Sequence, residues 1–157
     1  MSIRPFQKED IQPLMEILRA TDVFREEEMT VALELMEIAI EDKDQIEYAS
    51  STFVDESNIV RGYYCVGPTP MTVSTFDLYW IAVDPRAQSQ GIGKQLLQHC
   101  EEYVRSKGGT LIIAETSSLP KYEKTHAFYR RNHYTEASRI KGYYSKGDDL
   151  VVYTKNL

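Results

Sequence analysis

The feature that most constrains this chain is an apolar segment at residues 78–83, followed by a loop and then by an amphipathic helix. The side chains of this segment are apolar, aromatic or small, which is typical of a strand buried on both faces. Asp84 and Pro85 follow directly, and proline is not tolerated in the interior of a central strand. The sequence therefore predicts a buried central strand that ends at Asp84.

The helix after this strand presents one apolar face, formed by Ile92, Leu96, Leu97, Cys100, Tyr103 and Val104. Gly108 and Gly109 end it. The glycines of the preceding loop, Gly91 and Gly93, allow the backbone to approach a ligand closely. The N–H groups of residues 91–95 have no partners at the start of the helix, and such an end binds anions, above all phosphate oxygens.

Two common phosphate-binding motifs do not fit this loop. A Walker A loop requires glycine at position 88 and Ser or Thr at position 95, where this chain has Gln88 and Gln95. A dinucleotide-binding fingerprint requires a third glycine where this chain has Leu96, and it opens a series of strand–helix repeats. Neither motif accounts for the two glycines.

What remains is the pattern Gln88-x-x-Gly91-x-Gly93 between a buried strand and an amphipathic helix. This pattern resembles the acetyl-CoA pyrophosphate loop of the GCN5-related N-acetyltransferase (GNAT) family. The resemblance covers residues 76–134, including the aromatic segment at residues 127–129 of a later helix, and extends more loosely over the whole chain. The alternative is that the two glycines only tighten a turn.

The predicted elements follow the order β-α-α-β-β-β-α-β-α-β-β. The resemblance implies the α/β (α+β) GNAT fold, with a mixed, mostly antiparallel central sheet, two splayed parallel strands and helices on both faces. A length of 157 residues fits a single domain over residues 1–157. Strands are predicted at 3–6, 45–54, 59–67, 78–83, 110–116, 136–144 and 149–155, and helices from 9–10 to 18, at 26–40, from 92 to the glycines at 108–109, and at 122–132.

Composition narrows the class of partner. A net charge of −6 disfavours broad electrostatic binding to nucleic acid or to anionic membranes. No apolar run approaches the roughly 20 residues that span a bilayer, and the N-terminus has no apolar signal-peptide region. The cytoplasm is therefore the expected compartment.

The cysteines and histidines do not indicate a metal or redox site. Cys65 falls in a predicted strand and Cys100 on the apolar face of a helix, so we expect two buried thiols and no disulfide. The three histidines form no cluster with metal-ligand spacing, and no metal is expected. They are His99, His126 and His133.

Acetyl transfer from a thioester to an amine requires a neutral amine, a stabilised oxyanion and a proton for the departing thiolate. By resemblance, Tyr129 takes the place of the family's general acid, and a phenol with a pKa of about 10 is protonated at neutral pH. Asp77 matches the position of the glutamate base of histone-acetylating relatives, with Glu115 and water chains as rival routes. Tyr129 could instead serve only for packing, and either carboxylate could be a surface or capping group.

Direct transfer needs no covalent acyl-enzyme, because proximity of the two substrates supplies much of the acceleration. By resemblance, the main chains of Ile81 and Val83 would bond the pantetheine arm, and the N–H of Val83 would contact the thioester carbonyl. Lys94 and Arg86 are the nearby basic residues that could offset the acidic charge of the chain. The residues expected around the pyrophosphate are Gln88, Gln90, Gly91, Ile92, Gly93 and Lys94.

Two positions depart from the family pattern. Many members carry an asparagine that contacts the cofactor where this chain has Tyr122, so one side-chain contact could be lost. They also have a glycine where this chain has His133, and histidine adopts a positive φ less readily than glycine. Neither departure removes the pyrophosphate loop.

In this family the segment between the first two helices, here residues 20–28, usually forms one wall of the acceptor site. By that resemblance Phe24, Arg25 and the acidic residues 26–28 could contact the substrate. The interpretation that we prefer is a solvated helix start whose acids complement the helix dipole. Met29 and Met36, on the apolar face of that helix, are expected in the core.

The leading hypothesis is an acetyl-CoA-dependent N-acetyltransferase that moves an acetyl group directly to a primary amine of a small molecule or peptide in a ternary complex. One alternative is a non-catalytic acyl-CoA-binding or sensing module of the same fold. Another is a phosphate-binding regulatory domain unrelated to CoA. The acidic charge suggests cationic acceptors, but carboxylates on helix faces explain it equally well, and a homodimer through strand edges or the closing hairpin stays open.

Overall fold

A computed structural model describes all residues, Met1–Leu157, and contains seven strands and four α-helices. The order of these elements is the one predicted from the sequence. The chain also contains three short 3-10 helices. Lys8–Asp10 precedes α1, Pro85–Ala87 lies between β4 and α3, and Pro120–Tyr122 precedes α4. The elements are β1 Ser2–Pro5, α1 Ile11–Thr21, α2 Glu26–Glu41, β2 Ala49–Val54, β3 Val60–Pro68, β4 Thr75–Val83, α3 Ile92–Ser106, β5 Leu111–Ser117, α4 Glu123–Arg131, β6 Thr135–Ser145 and β7 Asp148–Asn156.

The strands form one sheet in the order β1-β2-β3-β4-β5-β7-β6. The pairs β1–β2, β2–β3, β5–β7 and β6–β7 are antiparallel. Strands β4 and β5 are parallel, and their pairing joins only Thr75–Asp77 to Leu111–Ile113. A parallel pair needs a crossover connection, which α3 supplies. The predicted mixed, mostly antiparallel sheet with one parallel pair is confirmed.

Two details of the strands differ from the prediction. Strand β2 begins at Ala49 rather than at residue 45, because the side chain of Gln45 donates to the carbonyl of Tyr48 and accepts from its N–H, forming a local turn. Strand β4 is not buried on both faces. Leu78 and Ala82 are buried, whereas Tyr79 is 38% exposed. Successive side chains of a strand point to opposite faces, so only the face that carries Leu78 and Ala82 is fully covered.

The chain divides into two compact units, Met1–Gly67 with Tyr79–Tyr103, and Pro68–Leu78 with Val104–Leu157. In the first unit, α1 and α2 form a core cluster with Tyr63 and Cys65 of β3. Tyr64, on the opposite face of β3, meets His99 of α3, with 2.8 Å between the hydroxyl and Nδ1. Helices therefore cover both faces of this part of the sheet, as predicted.

Several apolar side chains lie in this core as expected from their spacing. Met29 and Met36 are buried in it, so the expectation that they pack in the core is confirmed. Cys65 and Cys100 are both free and buried. At Gly62, an added Cβ would lie 2.6 Å from the carbonyl oxygen of Ala82, so the close approach of β3 and β4 requires glycine there.

In the second unit, α4 covers the face of β5 and β7 that carries Ala114 and Tyr153, which are paired in the sheet. Tyr129 of α4 stacks on Tyr153, with the ring centroids 5.6 Å apart, and both rings are buried. The side chain of Ile112 is buried as well. No helix of the structure is both long and apolar enough to span a membrane.

Candidate functional site

The segment that leads from β4 into α3 has the form expected of an anion-binding loop. Pro85–Ala87 is a 3-10 turn capped by the side chain of Asp84, and Gln88, Ser89 and Gln90 after it are exposed. Ser89 and Gly91 have positive φ values of 66° and 75°. A positive φ turns the backbone sharply, and this turn brings the chain directly into the first residue of α3.

The start of α3 lies next to this loop, and the first N–H groups of a helix lack intrahelical partners. The N–H of Gln95 donates to the carbonyl of Gly91 at 3.1 Å. The N–H groups of Ile92, Gly93 and Lys94 precede that bond, and a helix leaves such groups without intrahelical partners. The side chain of Ile92 is buried and anchors the turn, whereas Lys94 is exposed. The first turn of α3 can therefore receive phosphate oxygens through main-chain N–H groups.

The first unit contains every residue that the sequence predicts for the cofactor except Tyr122. Ile81 and Val83 are half-buried residues of β4, and residues 88–94 continue the chain from the end of that strand. They form one continuous stretch from a central strand through an open loop into a helix. Other parts of the protein do not cover the loop, because Gln88 to Gly91 are exposed.

An ion network around a buried carboxylate fixes the beginning of the loop. The carboxylate of Asp84 is 0% exposed and accepts from the main-chain N–H and Nε of Arg86, both at 3.0 Å. It also accepts from Nη1 of Arg61 at 3.0 Å, while Nε of Arg61 donates to Asp55 at 2.8 Å. Burial by itself would raise the pKa of Asp84, but the bonds from Arg86 and Arg61 outweigh it and lower that pKa.

This network was missed in the sequence, although the Asp84-Pro85 pair signalled the end of the strand. Arg61 lies on β3, and only the pairing of the strands brings it to Asp84. Arg86 shares Asp84 with Arg61, but its side chain is 74% exposed. Its guanidinium thus keeps donors in solvent beside the loop, consistent with the predicted role of a basic residue near the pyrophosphate.

The two candidate bases lie together in the second unit. Asp77 of β4 pairs with Ile113 of β5, and Glu115 is the second residue after Ile113. Since side chains alternate along a strand and aligned residues of paired strands share a face, Asp77 and Glu115 project from the same face of the sheet. Partial desolvation raises the pKa of Glu115, and the negative charge of Asp77 raises it further.

Tyr129 lies on the other face of the sheet. Its ring packs on Tyr153, whose partner in β5 is Ala114, the residue before Glu115. Tyr134 also contacts it, with ring centroids 5.3 Å apart. The second unit therefore brings Asp77 and Glu115 together but does not place Tyr129 on their face.

The two departures from the family pattern lie near α4. Tyr122 is buried at the end of the 3-10 turn before α4, and its ring lies 6.5 Å from that of His126. His133 adopts φ 68°, so the positive φ considered for this position is present, with a histidine in place of glycine. His126 also contacts the hydroxyl of Thr116 at 2.9 Å, and because that hydroxyl donates to Val151, His126 is the donor.

The segment between α1 and α2 packs against the first unit. The ring of Phe24 meets that of Trp80 edge-on, with centroids 4.8 Å apart. Nε of Arg25 donates to Glu28 at 3.1 Å, and Glu28 accepts from the N–H of Arg25, which closes a capping box at the start of α2. These contacts favour the helix-start interpretation of the acidic residues 26–28.

No group of three or more His, Cys, Asp or Glu side chains that could hold a metal ion is present.

Comparison with known proteins identifies the family. Residues 48–136, more than half of the chain, match the family described as the acetyltransferase (GNAT) domain. This chain belongs to the GNAT acetyltransferase family. A curated relative, the 5-NmdU N-acetyltransferase of Pseudomonas phage PaMx11, is 31% identical over 94 residues, and the match spans 60% of each protein.

Solved GNAT structures have the same fold. A GNAT-family protein from Desulfovibrio desulfuricans superimposes with a TM-score of 0.93 at 35% identity, covering 99% of this chain and 98% of that one. An aminoglycoside 6'-N-acetyltransferase solved with coenzyme A superimposes with a TM-score of 0.78 at 18% identity, covering 99% and 97% of the two chains. The second likeness shows the fold alone. The GNAT fold predicted from the loop and its surroundings is thus confirmed.

Proposed function

We propose that this GNAT protein is an acetyl-CoA-dependent N-acetyltransferase that moves an acetyl group directly to a primary amine of a small molecule or peptide. Transfer takes place in a ternary complex, and residues 1–157 act as a single GNAT domain. Membership of the family supports acetyl transfer. Two of the proteins named above are a 5-NmdU N-acetyltransferase and an aminoglycoside 6'-N-acetyltransferase, and the second was solved with coenzyme A.

The observation that carries the proposal is the open loop at residues 88–91 followed by the first turn of α3. Its backbone turns at Ser89 and Gly91 and continues into the first turn of α3. The main-chain N–H groups of that turn can donate hydrogen bonds to a diphosphate. A loop that served only as a tight turn would not need exposed glutamines before the first turn of a helix. In a chain with net charge −6, these local donors and the side chains of Lys94 and Arg86 supply the attraction for an anionic cofactor.

Each step of the reaction has a proposed group. Gln88, Gln90, Gly91, Ile92, Gly93 and Lys94 surround the pyrophosphate, and Tyr122 lies at a further position of cofactor contact. The main chains of Ile81 and Val83 hold the pantetheine arm, and the N–H of Val83 stabilises the oxyanion. Tyr129 donates a proton to the thiolate of CoA. Asp77 or Glu115 takes the proton from the amine.

Gly91→Glu tests the cofactor loop, because it places a negative charge where the diphosphate would bind. An added Cβ at Gly91 meets no atom within 4 Å, so the loss of binding would not result from a clash. We expect acetyl-CoA affinity, measured by isothermal titration calorimetry, to fall by at least about 100-fold. This corresponds to a loss of about 2.7 kcal/mol of binding free energy.

Gly147→Glu is the matched control. Gly147 also has a positive φ, 86°, and also has no atom within 4 Å of an added Cβ. The same strain and the same charge therefore arise in the turn between β6 and β7, and acetyl-CoA affinity should stay at the wild-type value. Equal affinity in both variants and the wild type would contradict the proposed cofactor loop.

Tyr129→Phe tests the general acid. Removing the hydroxyl should lower kcat at neutral pH by about 100-fold while leaving acetyl-CoA affinity close to wild type, since general acid catalysis contributes about 10²–10⁴-fold. Release of free CoA thiol with a panel of amines, amino acids and peptides gives the rate and identifies the acceptor. Tyr134→Phe, the same change in the neighbouring ring, is the control. Binding of acetyl-CoA without thiol release for any amine would instead indicate a non-catalytic acyl-CoA-binding module.

A further inference from the structure

Helix α2 has apolar side chains on two opposite sides. Met29 and Met36 are buried in the core cluster of the first unit. Val31 and Ile38 each come two residues later, and residues two apart in a helix lie about 200° apart around its axis. These two large side chains therefore point away from the core, and they are 47% and 37% exposed.

Three glutamates flank the two exposed apolar side chains. Glu34 lies three residues after Val31 and four before Ile38, so it neighbours both on the helix surface. Glu27, four residues before Val31, and Glu41, three after Ile38, extend the same row. All three glutamates are exposed, and none is in an ion pair. These five residues, a line of apolar side chains beside a line of carboxylates, are the outer face of α2.

The negative charge of the chain is concentrated on α2 and the residues just after it. Residues 26–47 contain nine acidic side chains and one basic one, a net charge of −8. The whole chain has a net charge of −6, so the remaining residues together have a net charge of +2. The acidic composition is therefore a property of one surface helix and its C-terminal end.

The C-terminal end of α2 carries charge of the unfavourable sign. The negative end of a helix dipole favours basic side chains, and the last turn of α2 contains none. Glu41 is the last residue of the helix, and Asp42 follows it as the C-cap. A cationic partner would supply the positive charge that this end lacks.

The charge of α2 also restricts what can cover its outer face. Two copies of the chain that met through this face would bring like charges together, which opposes association. Single exposed apolar side chains are common, but the side of a surface helix opposite its core is normally polar or charged. The occupant must cover apolar surface and carry positive charge, and a basic amphipathic helix does both.

We propose that the outer face of α2 is a docking surface for a basic amphipathic helix of another protein. Apolar side chains seven residues apart in that helix cover Val31 and Ile38, and its lysine or arginine side chains lie beside Glu27, Glu34 and Glu41. Burial of apolar surface supplies affinity, and the carboxylates select a cationic partner. The inference does not rest on the proposed N-acetyltransferase function, because none of these residues belongs to the cofactor loop or to the proposed catalytic groups.

A synthetic leucine–lysine peptide tests the surface on the full chain. Leucines at i, i+3, i+4 and i+7 give the peptide one apolar side, and lysines occupy the other positions. The control peptide has the same composition with its leucines spread around the helix. In fluorescence anisotropy, the amphipathic peptide should bind at least about 10-fold more tightly than the control, and added salt should weaken its binding. Equal affinity of the two peptides would show attraction by charge alone and would overturn the proposal.

Substitutions on α2 locate the bound peptide. Val31→Gln combined with Ile38→Gln removes the apolar line, and Glu34→Lys reverses the charge at its centre, so each variant should bind the amphipathic peptide about 10-fold more weakly. Gln and Lys are good helix formers, so α2 is retained, which circular dichroism checks. The matched controls are Ile59→Gln, an apolar side chain 49% exposed between β2 and β3, and Glu102→Lys, an exposed glutamate of α3. Wild-type binding in the α2 variants, or the same loss in the controls, would contradict the docking surface.

Two further measurements test the position and the occupant. When the amphipathic peptide is titrated into the wild-type chain, the largest amide shifts in ¹⁵N NMR should fall within Glu26–Glu41, and largest shifts elsewhere would overturn the proposal. In light scattering, Val31→Gln combined with Ile38→Gln should leave the mass of the particle unchanged. A wild-type dimer that becomes a monomer in this variant would assign the face to a second copy and refute a basic partner.

Discussion

Asp84 and Glu115 are both carboxylates close to the carboxyl ends of central strands, yet their surroundings are opposite. Asp84, buried at the end of β4, accepts bonds from two arginines, and its pKa is lowered. Glu115, on β5, faces another carboxylate without a cation, and its pKa is raised. Buried carboxylates are normally paired because an unpaired charge is costly. The first arrangement stabilises the loop, whereas the second leaves a carboxylate without a compensating cation.

Asp84→Ala should have the largest effect on stability. It removes a fully buried acceptor of three hydrogen bonds and leaves Arg61 and Arg86 without their shared partner. Breaking one side of a buried ion pair costs about 3–5 kcal/mol, so the free energy of unfolding should fall by about 3 kcal/mol. Urea denaturation at neutral pH measures it, and a loss below about 1 kcal/mol would show that solvent screens the network.

The pH dependence of stability should come next. Because the pKa of Asp84 is lower in the folded chain than in the unfolded one, its ionised form stabilises the fold above the ordinary value of about 3.9. That stabilisation is lost as the pH falls through the folded value. In Asp84→Asn, the difference from wild type should therefore stay constant above about pH 5 and shrink as the pH falls below it. A difference that does not change with pH would mean that the pKa of Asp84 is not lowered.

Arg86→Ala should have a smaller effect than Asp84→Ala. Its side chain is 74% exposed, and the main-chain N–H that also donates to Asp84 is kept in the variant. Arg61 still compensates the buried carboxylate. The same urea denaturation series ranks the two variants, and a loss equal to that of Asp84→Ala would mean that Arg86 is the dominant partner.

Glu115→Gln should have the smallest effect on stability. The pKa of Glu115 is raised, so its ionisation costs stability above the folded pKa, and removing the charge relieves the repulsion with Asp77. We expect the free energy of unfolding at neutral pH to change by no more than about 0.5 kcal/mol, or to rise slightly. A clear loss would assign Glu115 a structural role like that of Asp84.

Much of the fold could be predicted from local patterns. The strand, loop and helix around Gly91 and the stop at residues 108–109 are encoded in short stretches, because helix and strand periods and glycine signals act over a few residues. The positive φ considered for position 133 is confirmed with histidine in place. Two strand predictions were wrong: β2 was predicted to begin at residue 45, and β4 was predicted to be buried on both faces. At both places side-chain hydrogen bonds and packing outweighed composition.

The candidate site was only partly accessible from sequence. The residues of the cofactor loop are consecutive in the chain, so the sequence alone predicts that they lie together. Asp77, Glu115 and Tyr129 come from three elements, and the register of β4, β5 and β7 decides their faces. A shift of one residue would exchange those faces, which no local pattern specifies.

The sequence alone determined the order of the elements, the open glycine loop and membership of the GNAT family, because each depends on residues close together in the chain or on similarity along it. Only the tertiary structure decided which carboxylate meets arginines and which meets another carboxylate. The physical reason is that charge and hydrogen bonding depend on distance in space, and strand pairing brings together residues that are remote in sequence.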